Sequence, residues 1–492
     1  MPRKALSLGP GARAALAAVS LAVLAGPARA DDAPVSDVMK VPRPAGGEYF
    51  GLYILGKKVG YQFIQVGFVP GGKDKVRMVD NVVMRANVGG RNVERIMSET
   101  RLYESRPNGK LLSFVIEQHG DGGDQVLEGS ASNVGVRVIR KRPGLPNEIL
   151  NLKPARESVE DADQVRVAVM RKASVSGLVI DSTDLQQYRV TTTVLPPLET
   201  APGGVKMKLQ RTSTISEKEQ VPVECSMAPD GGVFEIKFGT QMMARAEPEA
   251  VAKRLDAVEL FGLVRVVLPR DPPPTARGVP GKMTLVVSKL PARFQRDTER
   301  QKFKKLSGDQ VEVSITAQLP RPDKRRARPL ADPSGGENLK ANLSVESDKR
   351  EVKDLARKVV GEEKDAYAAA EKISRWVYEH VESAYGYSAD RTTDVMRQMK
   401  GDCTEHALLA VSLMRAAGIP AKRIDGVIYQ KGSDGVPALM WHEWVSAFVG
   451  EWVQLDPTWG QAVADATHFA VGEETGAEIA PLIGELQVTD VR

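Results

Sequence analysis

The sequence predicts an α+β fold, in which a β-rich antiparallel N-terminal region precedes a C-terminal domain of helices followed by strands. From Tyr49 to about Leu268, short runs rich in Val, Ile, Thr and Tyr alternate with Gly-containing turns. After about Leu343, apolar residues recur at the three-to-four spacing of helices, and strand-like runs return from Ile424. With 492 residues, of which 42% are hydrophobic, the chain can bury more than one core.

Residues 1–30 have the pattern of a secretory signal. Arg3 and Lys4 precede an apolar run over 14–25, and Ala28-Arg29-Ala30 supplies an A-x-A cleavage site. We therefore expect export to the periplasm or the medium after cleavage near Ala30. The apolar run is well short of the ~20 residues that cross a bilayer, and no later stretch reaches that length. The sequence thus predicts no transmembrane segment.

The charge balance argues against polyanionic partners. The net charge of +5 includes four basic and no acidic residues in the first thirty, so the remainder has a net charge of only +1. A nearly neutral chain has no global field that would hold nucleic acid or an anionic membrane. We therefore predict neither as a partner.

Residues 31–268 are predicted to form a β-rich N-terminal domain whose role the sequence leaves open. Alternation over 61–66 fits a strand with one buried face, and the turn signals favour antiparallel hairpins in a sandwich or an open barrel. The turn signals include Gly56-Lys57, Gly71-Gly72, Asn108-Gly109 and Asp230-Gly231-Gly232. Helical interruptions are expected near Ser158–Val169 and Glu247–Leu260.

Residues 269–342 are predicted to be Pro-rich linkers that flank a short β segment. Prolines cluster around 269–280 and 319–333, where they break regular structure, and strand-like alternation lies between them at 283–289 and 311–317. The basic stretch Arg321–Arg328 could dock a polyanion, but such a run is usually a solvated linker. We favour the linker interpretation.

Residues 343–492 are predicted to form the C-terminal α+β domain. Two apolar stripes predict two helices, and a third helix follows Cys403 and ends before Gly418-Ile-Pro420. The stripes are Val352, Leu355, Ala356 and Val359, then Ala366, Ala370, Ile373 and Val377. Strands are expected at Ile424–Tyr429, Trp441–Val449 and Trp452–Leu455.

The chain has two cysteines, Cys225 and Cys403. An exported protein could join them in a disulfide, but the sequence leaves equal room for a free thiol. Cys403 is expected at a helix N-terminus, where the helix dipole and unpaired amides favour thiolate over thiol. Cys225 lies in a strand-like run without an ionic neighbour, which indicates an inert buried thiol.

His442 and Asp456 complete a candidate catalytic arrangement with Cys403. The short turn 449–451 separates their strands, so antiparallel pairing can place Asp456 beside His442. Nucleophile, base and orienting carboxylate would then support acyl transfer from an amide. A buried structural thiol and a turn-forming Asp before Pro457 are the alternatives, and the joint occurrence of all three residues favours catalysis.

Other residues near Cys403 receive weaker assignments. His406 lies one helical turn along and is expected to be a packing residue. Metal binding through Cys403, His406 and His442 lacks further ligands, so no metal is predicted. The backbone N–H of Cys403 could stabilise an oxyanion, and the second donor stays open among Gln398, Trp376 and Tyr387.

Four sequence blocks, in this order, resemble the transglutaminase-like superfamily. They are Gly401-Asp-Cys-Thr-Glu-His406, Leu413-Met-Arg-Ala-Ala-Gly-Ile-Pro420, Trp441-His-Glu-Trp444 and Trp452-Val-Gln-Leu-Asp-Pro-Thr-Trp459. The resemblance covers the C-terminal domain and implies a papain-related fold. It also implies a triad of Cys403, His442 and Asp456.

Members of this superfamily include cross-linkers, proteases, deamidases and inactive proteins. No acidic calcium loop is present, so we predict no cofactor. With the signal sequence, the resemblance implies an exported cysteine enzyme that acts on amide bonds of a protein or peptide substrate through a thioester. Hydrolysis is slightly favoured over transamidation, because nothing in the sequence marks a lysine-acceptor site. The alternative is a non-catalytic binding or scaffolding protein with the same fold.

Overall fold

The computed structural model describes residues 34–492 apart from gaps at 89–90, 121–122, 202–205, 219–220, 240, 256–257, 386, 388, 433 and 474–481. The signal sequence predicted over residues 1–30 lies outside the described residues, so export stays a prediction. From Val35 onward the chain is one compact unit, and the domain boundaries at 268 and 342 stay predictions. The fold is α+β and mostly antiparallel sheet, as the sequence predicts.

The N-terminal region is a single antiparallel sheet of 14 strands among the described residues, rather than a sandwich. Its strands are β1 Glu48–Ile54, β2 Lys57–Phe68, β3 Lys75–Val88, β4 Arg91–Glu104, β5 Leu111–His119, β6 Gln125–Ala131, β7 Val136–Lys141, β8 Glu148–Leu152, β9 Val175–Ile180, β10 Gln187–Thr200, β11 Met207–Ser216, β12 Val223–Met227, β13 Val233–Phe238 and β14 Met242–Ala246. Strands β1–β8 form one meander and β9–β14 a second, and pairing of β1 with β14 joins them.

Turn chemistry explains the first hairpin of this sheet. Leu55 and Gly56 both have positive φ, at 49° and 75°, which matches a two-residue turn with the twist of the flanking strands. The predicted turn at Gly56-Lys57 is therefore confirmed. The helices α1 (Val159–Ala162) and α2 (Gln164–Arg171) follow β8, and Val159 and Val167 are buried in the core of the sheet.

The helix expected near Glu247–Leu260 is two short helices, α3 (Glu249–Ala252) and α4 (Leu260–Val264). Strand β15 (Val266–Val267) follows α4 directly and pairs with a strand of the C-terminal domain, Val266 lying opposite Leu439. Residues 258–267 therefore connect the N-terminal sheet to the C-terminal sheet. We refer to them as the strap.

The segment predicted as linkers around a short β element contributes to a four-stranded sheet. Its strands are β16 (Lys282–Ser288), β17 (Gln301–Lys305) and β18 (Val311–Thr316), and the fourth strand comes from the end of the described chain. The expected strands at 283–289 and 311–317 are thus confirmed. The basic stretch packs on the C-terminal domain: Arg321 pairs with Glu451, Arg325 pairs with Asp365, and the N–H of Arg326 donates to the carbonyl of Val449. The interpretation as a solvated linker was therefore wrong.

The C-terminal domain places helices before strands. The helices are α5 (Arg350–Val360), α6 (Ala366–His380), α7 (Thr392–Gln398) and α8 (Cys403–Ala416), with the short parallel pair β19 (Glu382–Ser383) and β20 (Lys400–Gly401) between them. The strands are β21 (Ala421–Lys431), β22 (Pro437–Phe448), β23 (Trp452–Leu455), β24 (His468–Glu473) and β25 (Gln487–Val491). The sequence missed α7, which spans only seven residues and lacks an apolar stripe.

Helix α8 is the centre of this domain. Residues 405–415 are all buried, because α5, α6 and α7 surround it and β21 and β22 cover another side. Gly418, with φ of 76°, and the following Ile419-Pro420 end the helix where the sequence predicts. Within the described residues, no helix combines the length and apolar character needed to cross a membrane.

Candidate active site

Cys403 is the first residue of α8. Asp402 caps the helix by accepting from the N–H of Thr404 at 3.0 Å, while the Glu405 carboxylate accepts from the N–H of Asp402 at 2.9 Å. This reciprocal capping box satisfies amides that would otherwise be unpaired. Gly401 is required before it, because a Cβ there would lie 2.3 Å from Cβ of Glu405.

His442 and Asp456 lie beside each other, as the predicted strand pairing requires. Strands β22 and β23 pair antiparallel with Val445 opposite Leu455, and Nε2 of His442 lies 2.8 Å from Oδ2 of Asp456. Asp456 has no solvent exposure. Burial raises the pKa of Asp456, but the charges and hydrogen bonds of His442 and His468 outweigh burial, so its pKa is well below the ordinary value.

Cys403 and His442 line one cavity of about 450 Å³. Because Nε2 of His442 bonds Asp456, its Nδ1 is the nitrogen left to serve the thiol. The walls also include Trp441, Trp459 and Tyr385. The structure thus places Cys403 and His442 on the walls of one cavity, with Asp456 hydrogen-bonded to His442.

The strap forms part of the same cavity. Glu259, Gly262 and Arg265 line it, although they precede the C-terminal domain by many residues. Indole Nε1 of Trp441 donates to the carbonyl of Val264 at 2.9 Å, and Arg265 pairs with Asp434 at 2.6 Å. These contacts fix the strap against strand β22 and the loop before it.

The thiol of Cys403 differs from the sequence-based expectation. Its residue keeps some solvent exposure, but burial of the thiol, followed by the negative charges of Asp402 and Glu443, raises its pKa well above the ordinary value. The N–H of Glu443 donates to the sulfur and opposes this shift. The predicted depression of the thiol pKa was therefore wrong, because burial of the thiol, followed by the nearby carboxylates, outweighs the effects that favour thiolate.

Glu443 is the carboxylate next to His442 in strand β22. Burial raises its pKa to about 8, and Arg423, 3.4 Å away, offsets only part of that shift. Between pH 4.5 and 8 the folded chain keeps a proton that the unfolded chain releases, so this group lowers stability as pH rises. Above pH 8 the loss of stability caused by Glu443 is complete.

We therefore expect the Glu443→Gln protein to gain stability relative to the wild type as the pH rises. Relative to the wild type, its melting temperature should rise by about 4 °C between pH 5 and pH 9, because three pH units below a pKa of about 8 correspond to about 4 kcal/mol. Thermal unfolding followed by circular dichroism measures this difference. Glu379→Gln, at an exposed position of α6, is the matched control, and a Glu443→Gln difference that is independent of pH would contradict the expectation.

His406 is a packing residue, as the sequence predicts. Its Nδ1 lies 2.7 Å from the carbonyl of Asp402 and its Nε2 lies 3.2 Å from the carbonyl of Val381, so both nitrogens are engaged away from the cavity. Burial lowers its pKa.

Cys225 is a separate buried thiol in β12, and both cysteines are free. The disulfide between Cys225 and Cys403, which the sequence left open, is therefore not formed in the structure.

The candidates for a second oxyanion donor lie elsewhere. Neither Gln398, Trp376 nor Tyr387 is among the described residues that line the cavity. Trp376 stacks on His380 with ring centroids 4.4 Å apart, and the Tyr387 ring lies 4.2 Å from the guanidinium of Arg91.

Tyr385 offers a hydroxyl at the cavity instead. Tyr385 lines the cavity together with Cys403. Burial and then the charges of Cys403 and Asp402 raise its pKa. The sequence offers tyrosines at both 385 and 387, and the prediction named only the second.

His468 is the other residue that the sequence analysis passed over. It begins β24, has no solvent exposure, and its Nε2 lies 3.0 Å from the same Oδ2 of Asp456 that His442 contacts. Ligand atoms of these three residues all lie within 4.8 Å of one another. Their contacts have hydrogen-bond lengths, so we assign no metal there. The clustering of histidines in this part of the sequence was the available signal.

Comparison with known proteins agrees with the motif analysis. Residues 353–457 match the family model of the Transglutaminase-like superfamily. An uncharacterized protein of Mycobacterium leprae is 26% identical over 127 residues, which are 25% of this chain and 45% of that protein. The chain thus spans less than half the length of this relative.

Two solved structures are similar in part. A candidate cysteine protease from Cytophaga hutchinsonii is 17% identical, with a TM-score of 0.31, and the match covers 43% of this chain and 83% of that one. A β-barrel-like protein from Brucella abortus, of a domain of unknown function, is 10% identical with a TM-score of 0.32, covering 41% and 94%. Through residues 353–457, the chain carries a domain of the transglutaminase-like superfamily.

Proposed function

We propose that this protein is an exported cysteine enzyme that cleaves amide bonds of protein or peptide substrates through a thioester on Cys403. The hydrogen bond from His442 to the buried Asp456 carries the proposal. It fixes the imidazole with Nδ1 unprotonated and available to the thiol, in the cavity that also contains the start of α8. No cofactor is needed for these steps.

The reaction begins with a neutral thiol. Because the pKa of Cys403 is raised, the thiolate forms as the sulfur attacks, when His442 removes the proton through Nδ1. A C–S bond forms at the substrate carbonyl, and the backbone N–H of Cys403 stabilises the oxyanion. His442 then gives the proton to the leaving nitrogen as the C–N bond breaks.

Water completes the reaction in the form that we favour. His442 removes a proton from water, the hydroxide attacks the thioester carbonyl, and the C–S bond breaks to restore the thiol. A primary amine in place of water would give transamidation. Hydrolysis is favoured because the sequence contains no mark of a lysine-acceptor site.

Capture of the acyl-enzyme tests the proposal. Wild-type protein is incubated with a casein digest, quenched in acid and analysed by mass spectrometry, with released ammonia and amines measured in parallel. We expect a hydroxylamine-labile adduct on the peptide that contains Cys403, and none on Cys225. Adding a dansylated primary amine separates transamidation from hydrolysis. Absence of both adduct and released nitrogen across the digest would favour a binding or scaffolding protein instead.

A further inference from the structure

The carboxylate of Asp456 accepts four hydrogen bonds. Its Oδ2 accepts from Nε2 of His442 at 2.8 Å and from Nε2 of His468 at 3.0 Å. Its Oδ1 accepts from the backbone N–H groups of Thr458 at 2.7 Å and Trp459 at 3.1 Å. The base of the proposed triad therefore shares its carboxylate oxygen with a second histidine.

The other nitrogen of His468 also faces acceptors. Its Nδ1 lies 3.2 Å from Oδ1 of Asp465 and 3.2 Å from the carbonyl oxygen of Asp465. A carboxylate and a carbonyl oxygen can only accept, so a bare Nδ1 would place lone pairs against lone pairs. Both ring nitrogens of His406 also face carbonyl oxygens. His468 differs because its partners include the carboxylates of Asp456 and Asp465, whose negative charge an imidazolium ring offsets. We therefore assign a hydrogen to each ring nitrogen of His468.

We propose that His468 is a permanently protonated positioning residue, which orients Asp456 through Oδ2 and places a positive charge beside His442. This inference rests on the proposed function, because it assigns His442 the role of base. His468 is not among the described residues that line the cavity.

The charges around His468 support a charged ring. Asp456 and Asp465 are the two carboxylates that face it, and the buried guanidinium of Arg300 donates to the carbonyls of Ala464, Asp465 and His468. Burial lowers the pKa of Arg300 to about 10, so it stays charged at neutral pH. The negative charges of Asp456 and Asp465 are balanced by Arg300 and His468 only when the His468 ring is protonated. His406, the remaining histidine near Asp456, has a pKa lowered by burial and adds no charge.

The positive charge of His468 acts on His442, which contacts the same carboxylate oxygen. The rings of His442 and His468 have centroids 6.0 Å apart, so protonating His442 places two like charges on one carboxylate. Asp456 thus orients His442 while His468 carries the positive charge on the other side of the same oxygen. A neutral His442 is the form that can remove the proton from the neutral thiol of Cys403.

Nuclear magnetic resonance of ¹⁵N-histidine protein tests this proposal without turnover. At pH 7 we expect both ring nitrogens of His468 to show protonated shifts. In His468→Gln, whose amide can still donate to Asp456 but has no charge, the ring-nitrogen shifts of His442 at pH 7 should move towards those of a protonated ring, because the neighbouring like charge is removed. His380→Gln on the exposed end of α6 is the matched control and should leave His442 unchanged.

Two results would overturn the proposal: a bare ring nitrogen on His468 at pH 7, or a folded His468→Gln protein in which the ring-nitrogen shifts of His442 are unchanged. If His468→Gln does not fold, Asp465→Asn serves instead. That variant keeps an acceptor near Nδ1 but removes its charge, so His468 itself should begin to titrate at lower pH than in the wild type. A failure of acyl-enzyme capture alone would count against the proposed function and would leave these spectra interpretable.

Discussion

Cys403→Ala should lower the rate of amide cleavage by at least about 10⁴-fold, because no other group in the cavity can form the thioester. Among the described residues that line the cavity, Cys403 is the only thiol. Its replacement by Ala removes one sulfur at the start of α8 and keeps the Asp402–Glu405 capping box, so the helix should remain folded. Initial rates on the peptide identified by acyl-enzyme capture measure the effect.

Cys225→Ala is the matched control for this loss. Cys225 lies in strand β12, is 4% exposed, and has a pKa raised to about 12 by burial. Unlike Cys403, it is not among the described residues that line the cavity with His442, so we expect its substitution to leave the rate unchanged within about twofold. Retention of activity in Cys403→Ala, or its loss in Cys225→Ala, would contradict the assignment of the nucleophile.

Asp456→Asn should lower the same rate by at least about 10³-fold with a smaller change in substrate affinity. The carboxylate accepts from two imidazoles on one oxygen and from two backbone N–H groups on the other. An amide cannot satisfy this set, because its NH₂ group must face either the imidazoles or the backbone donors. His442 then loses the partner that fixes its Nε2–H tautomer.

Separate measurement of kcat and KM distinguishes this effect from a general disturbance of the site. The matched control is Asp434→Asn, which makes the same substitution on the cavity wall, where Asp434 pairs with Arg265. We expect its kcat to stay within about threefold of the wild type. Equal losses in both variants would mean that the cavity as a whole, and not the tautomer of His442, governs the rate.

The C-terminal fold could be predicted because its signals are local. Apolar stripes at helical spacing mark α5 and α6, and Gly418 with Pro420 marks the end of α8. The short turn between β22 and β23 forces Asp456 towards His442, so that contact was also predictable. Long antiparallel strands have weaker local signals, and the choice between a sandwich and one continuous sheet depended on the pairing of β1 with β14, which are distant in sequence.

The site residues that the sequence missed depend on long-range geometry. His468 reaches Asp456 only because the loop after β23 returns to β21, where His468 lies opposite Ile428. The thiol pKa was predicted with the wrong sign for a similar reason. The helix dipole is visible in the sequence around Cys403, whereas the approach of Glu443 requires the packing of β22 beside α8.

Because the strap lines the cavity, the chemistry of the site and the shape of the cavity depend on distant stretches of the chain. The groups that would carry out the chemistry follow residue 400, whereas Glu259, Gly262 and Arg265 shape one wall of the cavity from before residue 270. Substitutions in the strap can therefore alter which molecules fit, while the thiol, the imidazole and their carboxylate keep their arrangement. In evolutionary terms, the choice of substrate can diverge through one stretch of the chain while the reaction is conserved in another.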